Sequence, residues 1–176
     1  MSEGIFAKNG ALLSLWNEHG PELAIREALA PAVIQEAISL GSMVLLGNPR
    51  HGGVRPCLVG QPASVKVNAN LGTSPLSSCI GTEKRKIEAA SRAGADTIMD
   101  LSIAGDLDAI RREMLGLWTR PLGTVPMYSV GQQLMDNGRD IADMRPDELF
   151  GEIAKQAEQG VDFVTVHCGL SRRGAE

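Results

Sequence analysis

The sequence predicts an α/β protein of the (β/α)8 TIM-barrel type, with about the first four βα units present and a short helical segment before them. Three observations carry this prediction. Strand-like and helix-like stretches alternate from residue 64 onward in the order β-α-β-α-β-α-β. The helical stretches, about ten to fifteen residues each, are long enough to join parallel strands by right-handed crossovers. That alternation fits an open doubly wound sheet or half of an eight-stranded barrel, and the strand faces favour the barrel. Asn68 and Asn70 share a face with Lys66, and Thr165 shares one with His167. A small open sheet is covered by helices on both faces and is apolar on both, whereas barrel strands end in an open polar mouth. The expected division is an N-terminal helical arm with an irregular connection over 1–63, and the half barrel over 64–176.

Each element has a local reason. The first 18 residues lack strong periodicity and are expected to form a loose arm or short helix. Pro21 is expected to open a helical stretch through Leu23, Ala24 and Ala28, and Pro31 a second one with Val33, Ile34, Ala37 and Ile38 at helical spacing. Gly41 supplies the stop. Met43–Leu46 reads as a short strand, and residues 47–63, rich in Gly, Pro and Arg, as an irregular connection. Val65, Val67 and Ala69 alternate with Lys66, Asn68 and Asn70 in the two-residue period of a strand. A helix follows from about Thr82 to Arg92, then a strand over 96–101. Asp106 caps a helix with Leu107, Ile110, Met114 and Leu117 on one face. A third strand is expected over Leu122–Met127. Pro146 opens a helix with Asp147 and Glu148 in its positive first turn and Gly160 as its stop. The fourth strand is expected over Phe163–Cys168.

Composition narrows the function. The chain has 176 residues, 43% apolar and 22% charged, which suffices for one domain with a core. The net charge of −4, with scattered Lys and Arg, argues against a nucleic-acid binder. Aromatics at 3% leave few platforms for stacking bases. No run of about 18 apolar residues predicts a membrane span. Cys57, Cys79 and Cys168 are an odd, widely spaced set that forms neither a disulfide framework nor a C-x-x-C clip. With no signal-peptide core at the N-terminus, the expectation is a reduced cytoplasmic protein.

Four side chains, Asn70, Met99, Tyr128 and His167, fall at or near the ends of the four strands, one βα unit apart. A barrel places all four on the rim where its enzymes bind substrate. Each also has a plainer role: a loop cap for Asn70, core filling for Met99, a satisfied interior hydroxyl for Tyr128 and a hydrogen-bonded interior imidazole for His167. His51, beside Arg50 and two glycines, reads as a solvated loop residue with some capacity for an anion. Thr73 and Ser74 after Gly72 offer hydroxyls and N–H groups to a phosphate, although no Walker or dinucleotide fingerprint is present. Asp100 lies opposite Met99 by strand parity and reads as structural.

The stretch Val67-Asn68-Ala69-Asn70-Leu71-Gly72-Thr73-Ser74 resembles the first barrel strand of the phosphomethylpyrimidine synthase (ThiC) family. GADTIMDLS at 94–102, PLGTVPMY at 121–128 and EQGVDFVTVHCG at 158–169 resemble later segments, in family order. The resemblance implies a radical S-adenosylmethionine carbon–carbon lyase on a (β/α)8 barrel. Its substrate would be 5-aminoimidazole ribonucleotide, rearranged to the hydroxymethylpyrimidine phosphate of thiamine biosynthesis. Asn70, Met99, Tyr128 and His167 would contact that nucleotide. The implied cofactors are S-adenosylmethionine, a [4Fe–4S] cluster on a C-x-x-C-x-x-x-x-C motif, and a divalent metal, zinc, held by two histidines. The ligands of the cluster and the metal are expected beyond Glu176.

The chain also departs from the family. The region between Val130 and Asp143 is longer than usual, Gly47–His51 matches only loosely, and Cys79 stands where the family tends to have Ser. The 5-hydroxybenzimidazole synthases of cobamide synthesis resemble the same family and use the same nucleotide. A non-catalytic nucleotide-binding module is the alternative from another class. A half-barrel aldolase lacks a strand-end Lys for Schiff-base chemistry. The expectation is a partial ThiC-like chain, inactive alone, that self-associates as a homo-oligomer through open strand edges.

Overall fold

The computed structural model describes residues 4–167. Three helices lead: α1 (Ile5–Lys8), α2 (Gly10–Glu27) and α3 (Pro31–Leu40). Asn9 caps α2 by accepting from the Leu12 N–H at 3.0 Å. Pro21 does not open a helix; it lies inside α2. An interior proline costs about 3 kcal/mol. Here Leu15 and Trp16 before it and Leu23 and Ala24 after it are all buried, and that packing holds the helix together across the break. Pro31 does open α3 at its first turn, and Gly41 ends it in the left-handed conformation at φ 75°.

The strand β1 (Met43–Leu46) forms as expected, but the connection after it is not wholly irregular. Cys57–Gly60 is a second strand, β2, antiparallel to β1 in the register Met43↔Gly60 to Leu46↔Cys57. Pro56 before it, Gly60 at its end and Pro62 beyond it mask a four-residue run in the sequence. Met43 and Leu58 from this hairpin join Trp16, Leu23, Ile34 and Ile38 in one apolar cluster.

Four further strands, β3 (Asn68–Leu71), β4 (Thr97–Asp100), β5 (Leu122–Thr124) and β6 (Phe163–Val164), form a parallel sheet in sequential order. Between them run α4 (Ile80–Arg92), α5 (Leu107–Leu117), α6 (Pro126–Asp136) and α7 (Pro146–Gln159). The Asp106 cap is present, its side chain accepting from the Ala109 N–H at 2.9 Å. Gly160 closes α7 at φ 107°. The first strand starts later than its alternation suggests, at Asn68, with Val65 and Val67 exposed before it. The third strand is shorter than expected: it stops at Thr124, and Pro126 starts α6. The buried Val130 and Leu134 one turn apart reward the helix, and a proline at its first position is pre-set for it. The long region after Val130 therefore holds α6 and a single 3₁₀ turn, Ile141–Asp143. Arg139 ties this turn to α7 through Glu148 at 2.6 Å. Cys168, the expected end of the fourth strand, lies outside the described residues.

Register assigns the faces. Leu71, Ile98 and Leu122 point one way and pack with Ile87 of α4 and Ile110 and Met114 of α5. Thr124, of the same parity, reaches Gln156 of α7. On the opposite face Asn70, Met99, Gly123 and Phe163 stand side by side, with Asn68 beside Thr97. Asn68 and Asn70 are exposed there. Sequential parallel strands with helices on one face and a polar opposite face are compatible with part of an α/β barrel. Residues 48–55 pack against the N-terminal ends of the strands, through Asn48 and His51 to Asp162 and Arg55 to Thr119. No helix among the described residues is long and apolar enough to cross a membrane.

Candidate functional site

The polar face of the sheet is built by strand alternation. Asn68 and Asn70 are two residues apart on β3, so their side chains leave the same side. Parallel pairing puts Thr97 beside Asn68 and Met99 beside Asn70. The Thr97 hydroxyl donates to Asn68 Oδ1 at 2.8 Å, and Asn68 Nδ2 donates to Asn70 Oδ1 at 2.7 Å. The Thr165 hydroxyl lies 3.7 Å from the Met99 sulfur, a weak bond between positions just past β6 and on β4. The Thr165 N–H continues the ladder to the Thr124 carbonyl at 2.8 Å.

Of the four residues expected on the rim, Asn70 and Met99 are direct neighbours. His167 is exposed and follows Thr165 by two residues beyond β6. Tyr128 is not at a strand end. It is half-buried in the first turn of α6, four residues beyond Thr124, where its N–H bonds the Val125 carbonyl at 2.9 Å. Asn70 and Met99 thus stand one residue before the C-terminal ends of β3 and β4, whereas Tyr128 and His167 lie four and three residues beyond the ends of β5 and β6.

Other expectations change. Thr73 and Ser74 do not form a free anion cradle. The Thr73 N–H bonds Ser102 Oγ at 3.0 Å, its hydroxyl bonds the Ala104 carbonyl at 2.6 Å, and Ser74 N–H bonds the Ser77 carbonyl at 2.9 Å. Even the Gly72 N–H is taken, by the buried Glu83 carboxylate at 2.8 Å. Gly72 itself is required: φ is 143°, and a Cβ would meet Ser102 N at 2.5 Å. His51 is no solvated loop residue; it is 3% exposed, at the opposite end of the sheet, against Asp162. Asp100 is buried on the helix side, as parity indicates, accepting from the Ser102 N–H at 2.9 Å. Burial pushes its carboxyl up against the opposing pull of Ser102 and Arg111.

The spacing of the strand ends does not single out Asn68, Thr97 or Thr165. The strand parity that marks Asn68 and Thr165 as polar was legible, but the Thr97–Asn68 pair required the register of β3 on β4.

The chain matches the model of the radical SAM ThiC family over residues 9–176. This protein belongs to that family. It is 40% identical over 149 residues to the phosphomethylpyrimidine synthase of Syntrophus aciditrophicus, covering 85% of this chain and 35% of that protein. With the Geobacter metallireducens phosphomethylpyrimidine synthase the identity is 42% over 156 residues, 88% of this chain and 36% of the relative. The Pyrococcus furiosus phosphomethylpyrimidine synthase is 38% identical over 170 residues, 97% of this chain and 39% of its own length. The chain spans little more than a third of the length of these relatives.

Members of a radical SAM family use S-adenosylmethionine and an iron–sulfur cluster. Among the described residues no three His, Cys, Asp or Glu side chains converge to hold a metal. Cys57 is buried on β2, where burial pushes its thiol up to about 11, the wrong direction for a thiolate ligand. Cys79 is exposed at the start of α4, where the Thr82 and Gly81 N–H groups lower its pKa, but among the described residues it belongs to no metal-binding group. The described residues do not fit a cluster, and no step of the radical chemistry is assigned to them.

Proposed function

We propose that this chain forms the nucleotide-holding part of a phosphomethylpyrimidine synthase. In this reading residues 64–176 are the first four βα units of a (β/α)8 barrel, and residues 1–63 are an N-terminal helical arm whose connection closes the end away from the rim. The substrate is 5-aminoimidazole ribonucleotide and the product the hydroxymethylpyrimidine phosphate of thiamine biosynthesis. Asn70, Tyr128 and His167 hydrogen-bond ring or ribose groups, and Met99 forms an apolar wall. The observation that supports this is the pair of exposed amides, Asn68 and Asn70, beside Met99 on a sheet whose other face is core. Polar side chains on the inner face of a barrel sheet are the usual material of a substrate site.

The contribution of these residues is positioning. Held in a reactive pose, a substrate gains several kcal/mol toward its barrier before any bond changes. The radical chemistry belongs to S-adenosylmethionine and the [4Fe–4S] cluster, with zinc as the implied metal; their ligands are sought in other residues of the assembled enzyme. The relatives' names favour the pyrimidine product over the benzimidazole made by the paralogous 5-hydroxybenzimidazole synthases.

Titration calorimetry with 5-aminoimidazole ribonucleotide tests the reading. The 176-residue chain is expected to bind it, Asn70→Ala to weaken binding about tenfold, and neither to cleave S-adenosylmethionine. No binding by the wild-type chain, or an Asn70→Ala affinity equal to it, removes the assignment; cleavage by this chain alone removes the division of labour.

A further inference from the structure

An asparagine offers a ligand either an acceptor or two donors, depending on which end of its amide faces out. On the polar face of the sheet that choice is made by the neighbours. Thr97 on β4 is 4% exposed, and its hydroxyl donates to Asn68 Oδ1 at 2.8 Å. With its oxygen so engaged, Asn68 turns its Nδ2 toward Asn70 and donates to Asn70 Oδ1 at 2.7 Å. The chain of bonds therefore runs from a buried hydroxyl, across a strand pair, to an exposed amide. It occupies the Asn70 oxygen and leaves the Asn70 nitrogen with no partner among the described residues. Register and parity bring these groups together: Asn68 and Thr97 are register partners, and Asn68 and Asn70 are next neighbours on one face.

We propose that Thr97 and Asn68 are positioning residues that lock the Asn70 amide with its nitrogen outward. The rim thus selects a hydrogen-bond acceptor at this point of the ligand: an unprotonated ring nitrogen or a ribose oxygen. The proposal rests on the reading of Asn70 as a nucleotide contact. A group reaching Asn70 as a donor meets two N–H bonds and is rejected, because a donor facing a donor leaves both unpaired. Pre-set orientation also spares the ligand the cost of ordering a free amide. Thr165 does the same more weakly for Met99, by placing its hydroxyl 3.7 Å from the sulfur.

The test compares Asn70→Ala, Thr97→Val and Thr97→Ser in the full 176-residue chain, by calorimetry with 5-aminoimidazole ribonucleotide and by ¹⁵N–¹H spectra of the side-chain amides. Thr97→Val keeps the shape of the buried side chain and deletes the first donor. It is expected to weaken binding about three- to tenfold and to shift the Asn68 and Asn70 NH₂ signals of the free chain, while most backbone signals stay in place. Thr97→Ser retains the hydroxyl and is expected to restore both. If Asn70→Ala weakens binding while Thr97→Val changes neither affinity nor the Asn70 NH₂ signals, the relay is overturned and the site reading survives. If Thr97→Ser fails to restore what Thr97→Val loses, packing rather than the hydroxyl is responsible, and the relay is overturned again. If Asn70→Ala binds like wild type, the site reading itself falls.

Discussion

His51 has both ring nitrogens against acceptors. Nδ1 lies 2.7 Å from Asp162 Oδ2, and Nε2 lies 2.6 Å from the Trp118 carbonyl and 3.1 Å from that of Leu115. Only the imidazolium donates from both nitrogens, so this is the form that the site completes. Burial opposes the charge, but the bond and charge of Asp162 and then the two carbonyls outweigh it, and the pKa rises above the ordinary 6.5. A raised folded pKa means that the contribution is complete below about 6.5, the unfolded value, and is lost as pH climbs through the folded one. His51→Gln is therefore expected to cost about 3 kcal/mol at pH 6 and less at pH 9, measured by urea unfolding. Equal pH slopes in the two proteins would exonerate His51. The sequence places His51 beside Arg50 and two glycines, which suggests exposure. Its partner Asp162 is far along the chain, and nothing local announces it.

At the scale of elements, α5, α6 and α7 are joined by a buried polar network rather than by apolar contact alone. Arg111 of α5 is 2% exposed and reaches Asp108 at 2.8 Å, Gln159 at 2.7 Å, Ser129 of α6 at 2.9 Å and Glu152 of α7 at 3.7 Å. Gln156 adds a bond to Ser129 and one to Glu152. Arg111→Met should destabilise the chain by about 1–3 kcal/mol, because Gln159 and Ser129 lose a buried charged donor while Glu152 keeps Lys155 at 2.9 Å. Arg111→Lys, which keeps the charge without the forked donors, should lose less than Arg111→Met in denaturant unfolding; equal losses would mean that Arg111 acts through packing. Periodicity placed Leu107, Ile110, Met114 and Leu117 on the buried face of α5. The first three are buried, but Leu117 is exposed while Arg111 and Leu115 are covered. Periodicity finds a helix and its approximate stripe; it does not reveal that a buried arginine has partners on two other helices. The shortened β5 has a similar origin. Val125 is buried but caps α6, and Gly123 is bare because the Phe163 ring occupies the space a Cβ would take.

For the whole molecule, the described sheet has two unpaired outer edges, along β3 and β6, and one polar face without a layer over it. Exposed apolar groups lie near β3 and β6 in the chain: Val65 is 92% exposed, Leu76 fully so and Val166 46%. Unpaired backbone groups beside apolar side chains favour pairing with another chain. The isolated protein is expected to show a light-scattering mass above the 18.7 kDa of one chain, rising with concentration. A constant monomer mass at tens of micromolar would overturn this.

The βα order, most helix starts and stops, the strand parity of Asn68 and Asn70, and the family were all legible in the sequence, because each depends on residues within a few positions of one another. Only the tertiary structure decided which sheet face is covered, that Tyr128 follows its strand on a helix, that His51 is buried on Asp162, and that the Thr97 hydroxyl meets Asn68. Those facts depend on register and packing between distant segments, where one buried hydroxyl or carboxylate selects its partner only after the chain has closed around it.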